Sequence, residues 1–396
     1  MTTATNPPIQ YPFNLFDGIA LASAYSRAQQ TPGLLKVKLP YGEPAWLATR
    51  YEDVRFVLSD RRFSREEATK RADAPRALPR IAGGIVMMDP PELTRIRNLV
   101  TQAFTNRRVE QLRPHVRDLA NELIDRMVAK GPPADLVRDY ALPIPMSVIC
   151  ELLGVPVADQ SKFKEWNDSL LSTNTQTAEQ TQRNLGELSQ YIMGLVRLRR
   201  AEPGDDLMSA LIEAHDVDDR LNERELVQLC IAILIAGYEA TSSQIPNFIY
   251  TLLTHQEQFA RLKSDPGLVA PAVEELLRFV PVASAAMFPH YATEDVQVGD
   301  TLVRAGEPVF ASVGAANHDP RKFSDPHRLD FDRDARAHFA FGCGMHYCIG
   351  ASLARVELQE ALRALVTRLP DLRLHADVQW KTATFFRGPL TMQVIW

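Results

Sequence analysis

Apolar and polar positions alternate in two adjacent stretches near the start of the chain, LLKVKLPYG at 34–42 and EPAWLATRY at 43–51, which predicts a β-hairpin turning at Tyr41-Gly42. From there to about residue 280, apolar positions recur mostly every three or four residues, the period of helices with one buried face. One such helix opens at Asp89-Pro90-Pro91-Glu92, an N-cap residue followed by prolines and a first-turn acid, and carries Arg95 and Arg97. The longest runs from Asn222 to about His255. Its start has capping-box spacing at Asn222 and Glu225, and its text is apolar on more than one face, as in a helix that crosses a protein interior. Pro246 removes a backbone donor at a cost of about 3 kcal/mol, so a kink or break is expected at 242–246. Short strands with Gly and Pro turns are predicted over 296–312 and 372–396. After Gly350, the residues Leu353, Ala354, Leu358, Ala361, Leu362, Leu365 and Leu369 line one face of a further helix. The pattern is that of a mainly α protein with a smaller β-rich part. No repeat, low-complexity tract or linker divides it, so 1–396 is expected to form one domain, with a flexible tail at 1–12.

Composition narrows the class. A chain of 396 residues with 45% hydrophobic content buries a large core, and 44 basic against 49 acidic residues leave a net charge of -5, which argues against a nucleic-acid or membrane-surface role. Cys150, Cys230, Cys343 and Cys348 are too few for a disulfide scaffold. The stretch MTTATNPPIQYPF has neither the charged n-region nor the apolar h-region of a signal peptide, and the apolar run CIAILIAG at 230–237 is shorter than the ~18 residues of a membrane span. These features lead to the expectation of a cytoplasmic protein with reduced thiols and no membrane anchor.

The concentrated chemistry lies in FAFGCGMHYCIG at 339–350. Cys343, His346 and Cys348 offer three zinc ligands, but a structural site takes four, and only His338 is near in sequence to complete the set. The spacing of the thiols is not that of a CxxC redox pair. An inert buried loop is a third reading, because free cysteine is among the most buried residue types. The fourth is a haem-thiolate loop. Cys348 directly precedes the predicted helix N-terminus, where free amide donors and the helix dipole stabilise a thiolate. Gly342, Gly344 and Gly350 let the backbone turn tightly and a flat macrocycle lie against it.

Phe341-Gly342-x-Gly344-x-His346-x-Cys348-x-Gly350 resembles the signature of the haem-thiolate monooxygenases, the cytochrome P-450 superfamily. The likeness extends along the chain. Glu275-x-x-Arg278 in VEELLR resembles that family's buried Glu-Arg pair, and FSDPHRLDFDR at 323–333, ending in Arg333, resembles its meander segment. The general cast resembles actinobacterial enzymes that tailor polyketides and related natural products. The resemblance implies the cytochrome P-450 fold with its long central helix over the haem, haem b as cofactor and dioxygen as co-substrate. It also implies a monomer that receives electrons from a ferredoxin and ferredoxin reductase, the ferredoxin docking near Arg107 and Arg108, because the chain has no flavin or iron-sulfur domain of its own.

By the same resemblance, Cys348 is the axial iron ligand, and its electron donation favours O–O cleavage. Arg97 and His346 hold the propionates. Leu93 stands where many relatives have a histidine, and His290 where an arginine is usual. The stretch Ala236-Gly237-Tyr238-Glu239-Ala240-Thr241 resembles the oxygen-binding segment of the central helix, with Ala240 in place of the usual threonine. Thr241 is about 100° further round the helix, so protons are expected from ordered water, Glu239 or a substrate hydroxyl. The implied pocket draws on Ile81–Met88, the 168–180 stretch, Ala232–Ala240, Pro281–Phe288 and the Phe385-Phe386 turn. Its lining residues include Ile85, Val86, Met88, Ala232, Ala236, Ala285, Phe385 and Phe386. Such a lining suits a bulky, largely apolar metabolite that is hydroxylated or epoxidised. Oxidative coupling or peroxide-driven chemistry is the alternative on the same fold, and a non-catalytic haem or zinc sensor the alternative of another class.

Overall fold

The two alternating runs pair in register, with Leu35 opposite Leu47 and Lys36 opposite Trp46. They are part of a computed structural model that describes residues 7–13, 18–77, 83–156, 159, 162–163, 166, 178–216, 221–283, 285–382 and 386–396. Its contacts separate two units, one of Met1–Glu92, Leu277–Arg328 and Ala335–Cys348, the other of Leu93–Leu276, Leu329–Asp334 and Ile349–Trp396.

The first unit holds the larger sheet. Six strands lie in the order Ile9–Gln10, Leu35–Lys38, Ala45–Ala48, Pro308–Ala311, Pro289–Ala292 and Phe63–Ser64. The run predicted at 296–312 resolves into the hairpin Val296–Val298 with Thr301–Val303, which turns at Gly299 with φ 52°, and the central strand Pro308–Ala311. The helix Tyr51–Ser59 packs Val54, Val57 and Leu58 into a core with Phe63, Val296, Val303 and Phe339. The N-terminal segment differs from a free tail. Ile9 and Gln10 pair in parallel with Val37 and Lys38, and the buried Tyr11 hydroxyl accepts from the Ala286 amide at 2.7 Å. An aromatic ring sheltered by Phe13 and Tyr25 gives these residues enough buried surface to stay put.

The second unit is helical, with small sheets formed by Arg373–Leu374, Gln393–Ile395 and Ala134–Asp135 and by Gln379–Trp380 with Pro389–Thr391. Its axis is the helix Glu223–Thr254, started by the expected capping box: Asn222 accepts from the Glu225 amide, and the Glu225 carboxylate accepts from the Asn222 amide, each at 2.9 Å. The helix continues unbroken through Pro246. Residues 241–249 are all buried, and Asn247 Nδ2 donates to the Arg387 carbonyl at 2.9 Å. Burial of Ile245, Phe248, Ile249 and Leu252, at about 1.5–3 kcal/mol each, outweighs the proline's cost. By length and composition this helix would span a bilayer, but 61% of its most apolar stretch is buried inside the protein, which makes it a core helix. Packed along it are Pro143–Leu152, Ala178–Ala201 and Ala351–Arg368, the last being the helix predicted after Gly350.

Candidate active site

The two loop cysteines have different surroundings. Cys343 packs against the strand-unit core, its sulfur 3.9 Å from the Arg55 carbonyl, and burial pushes its thiol up. Cys348 is exposed, and its amide is held by the Phe341 carbonyl at 2.9 Å. Cys150 and Cys230 are pushed up to about 12 by burial, which makes them inert. Gly342 and Gly344 both have φ 69°, and a Cβ on Gly344 would lie 2.4 Å from the Leu58 carbonyl, so only glycine allows the loop this close to the helix Tyr51–Ser59. Gly350 is the N-cap residue of Ala351–Arg368. The proposed fourth zinc ligand, His338, is committed elsewhere, since its Nδ1 accepts from the Ala340 amide at 3.0 Å. Among the described residues no three His, Cys, Asp or Glu side chains converge as a metal-binding group.

His290 is fixed by its strand, paired with Val309, and is 4% exposed. Its Nε2 accepts from Arg65 Nε at 3.0 Å, while its Nδ1 is buried without a hydrogen-bond partner. Burial, then the Arg65 cation and His346, hold this imidazole well below its usual range. Around it, Val86 and Phe288 border a buried group of Met87, Tyr291, Ala68 and Ala74, with Ile85 and Met88 half-buried nearby in sequence. Ala285 departs from the pocket lining expected of it. It packs with Tyr11, Tyr25 and Phe310 in the core, because the chain leaving Pro281 turns inward to the Tyr11 hydroxyl.

In the helical unit, small residues line one face of the central helix. Ala236 is exposed and Ala232 and Ala240 are half-buried, at four-residue steps along one face, whereas Tyr238, Glu239 and Thr241 are buried. Gly237 has a packing role: a Cβ there would come within 2.6 Å of Ile149 Cδ1. Thr241 is buried and bonds through its hydroxyl to Glu357, a fully buried acid pushed up to about 8 by burial. Glu239 is ion-paired with Lys381 at 2.8 Å, and Lys381 also donates to Ser243 Oγ at 3.0 Å. Leu93 is a core residue at 1% exposure, and Arg97, on the helix Glu92–Ala103, is half-buried. Phe386 is half-buried; Phe385, Ile81 and 168–177 lie outside the described residues. Arg107 and Arg108 are exposed.

The Glu-Arg motif is fully buried, as a structural element would be. Glu275 accepts from Arg333 Nε at 3.2 Å and from the Asp330 amide at 3.1 Å. Arg278 donates to the carbonyls of Asn317 and Pro326, each at 2.8 Å.

Within the first unit, an exposed cysteine on a glycine-shaped loop and a buried imidazole suit a flat, carboxylate-bearing macrocycle ligated by sulfur. They define the class as haem-thiolate monooxygenase. The chain belongs to the cytochrome P450 family, whose model matches residues 8–265 and 267–379. It is 49% identical to the mycinamicin IV hydroxylase/epoxidase of Micromonospora griseorubida over 100% of both chains, and 47% identical to the nocardicin C N-oxygenase of Nocardia uniformis subsp. tsuyamanensis over 98% of both. Its fold superposes on that of the mixed-function P450 MycG with a TM-score of 0.93 at 49% identity, covering 98% of this chain and 100% of that one. Membership settles the cysteine loop against the zinc reading and implies a haem-thiolate cofactor. Three residues with chemistry in these sites were not singled out in the sequence: Arg65, Glu357 and Lys381.

Proposed function

We propose that this monooxygenase hydroxylates or epoxidises a bulky, largely apolar metabolite of the macrolide or polyketide kind. The reading rests chiefly on the 49% identity, over the full length of both chains, to a protein described as a mycinamicin IV hydroxylase/epoxidase. The uncovered alanine face at Ala232, Ala236 and Ala240 agrees with it, since small side chains leave room for a large ligand. The reaction draws on haem b, dioxygen and electrons from a ferredoxin and its reductase, in the cytoplasm, with the chain acting as one monomeric catalytic unit. The relative described as an N-oxygenase supports a second reading, oxidation at nitrogen.

When bound, haem would supply one-electron and dioxygen chemistry, and Cys348 Sγ would hold its iron, a thiolate's electron density favouring O–O cleavage. Arg97, as a charge-assisted donor, and His346, as an imidazole donor, would each hold a haem carboxylate. Ala240 offers no hydroxyl, so a substrate hydroxyl or a substrate-held water occupies that place. Glu239 is tied to Lys381 and serves as half of an ion pair. Glu357 retains its proton at neutral pH and holds it against Thr241 Oγ1. Titrating the purified haem protein with mycinamicin-type macrolides, and with amine and oxime analogues, tests the reading by difference absorbance and product mass. It stands if a macrolide binds and gains one oxygen atom, and the nitrogen reading replaces it if only the second set does.

A further inference from the structure

Arg65 is a buried cation that no feature of the sequence marks. It follows the strand Phe63–Ser64, is 8% exposed, and lies with its guanidinium 4.7 Å from the Phe288 ring centre. Its Nη1 donates to the Val86 carbonyl at 3.2 Å and its Nε to His290 Nε2 at 3.0 Å. The nearby carboxylate, Asp89, is engaged by the Ser64 hydroxyl and by the Arg65 amide. Burial pushes the guanidinium down to about 10 against the opposing pull of Asp89, so the site holds positive charge at a cost that a further anion would relieve. Because His290 Nε2 accepts from Arg65, the imidazole proton belongs on Nδ1, the buried atom that lacks an acceptor. A donor that the neighbouring Phe288 and Val309 backbone leaves without a hydrogen bond of good geometry, with a cation directly behind it, suits a carboxylate.

We propose that Arg65 is a positioning residue for the cofactor: through Nε it locks His290 as the Nδ1–H tautomer, and it stands as the positive charge behind that hydrogen bond to a haem carboxylate. The histidine at 290 then works as a neutral relay for a guanidinium placed one side chain further back. This rests on the haem-thiolate reading, and the reduced carbon-monoxide spectrum of the unsubstituted protein, recorded first, keeps the two separable.

The test compares holoprotein variants by the rate of haem transfer to apomyoglobin and by the reduction potential. Arg65→Gln is expected to speed haem transfer about 10-fold, the effect of losing one charge-assisted bond, and to move the potential negative, because a cation near the haem is gone. Arg65→Gln with His290→Arg restores the charge one residue further out, and is expected to return both quantities to within about twofold of the parent. A merely structural arginine would not be rescued by a change at 290. Wild-type haem transfer and potential in Arg65→Gln, or a double variant as leaky as the single one, overturns the proposal. If the glutamine variant does not fold, Arg65→Lys against His290→Gln decides: the lysine variant is expected to keep the parent's potential, and a potential shifted to that of His290→Gln rules the relay out.

Discussion

Glu239 and Glu357 are buried carboxyls of the same unit, yet their partners differ. Glu239 is ion-paired with Lys381 at 2.8 Å. Glu357 is bonded by a neutral hydroxyl, that of Thr241, and burial pushes it up to about 8. A family acid next to the oxygen-binding position attracts attention in the sequence, but the carboxyl that carries a proton at neutral pH is the one on the next helix. Partner chemistry decides what a buried acid does, more than its place in a motif.

The largest expected effect comes from breaking the pair. Lys381→Met strands a carboxylate in the interior and is expected to destabilise the fold by about 3 kcal/mol in denaturant titration, with Glu239→Gln in the same chain recovering most of the loss. If Lys381→Met melts like the parent, the pair is not holding Glu239 charged. Next, Glu357→Gln removes the retained proton while keeping shape. Product formation should fall about 100-fold, with reductant consumption continuing as peroxide or water release, whereas unchanged coupling would return the role to ordered water. The smallest effect is thermodynamic. A carboxyl whose folded value lies near 8, above its ordinary 4.5, binds a proton in the native state that the unfolded chain has lost. Stability therefore falls as pH rises from about 4.5 towards 8 and levels off above it. Glu357→Gln does not titrate, so the melting-temperature difference between variant and parent should move in the variant's favour from pH 5 to pH 8; a constant difference would contradict the assignment.

The N-terminal hairpin, the capped central helix and the helix after Gly350 were legible because local period and capping chemistry agree with the tertiary fold there. The helix through Pro246 was not, because its continuity depends on burial contributed by distant segments such as Arg387. Among site residues, the glycine-rich cysteine loop is local and readable. Arg65 and His290 meet across 225 positions of sequence, and Lys381 and Glu239 across 142, distances no short pattern spans. Glu357 did leave a sign. It interrupts the four-step apolar series of Leu353, Ala361, Leu365 and Leu369, and an acid on a buried face needs a protonated or paired state.

The central claim, that Cys348 ligates haem iron while Cys343 is packing, is tested most directly by the carbon-monoxide difference spectrum of the reduced protein. Cys343→Ala is expected to retain the thiolate-ligated band of the parent, because its sulfur lies against the core, and Cys348→Ala to lose it. A thiolate band that survives Cys348→Ala and disappears in Cys343→Ala would contradict the account.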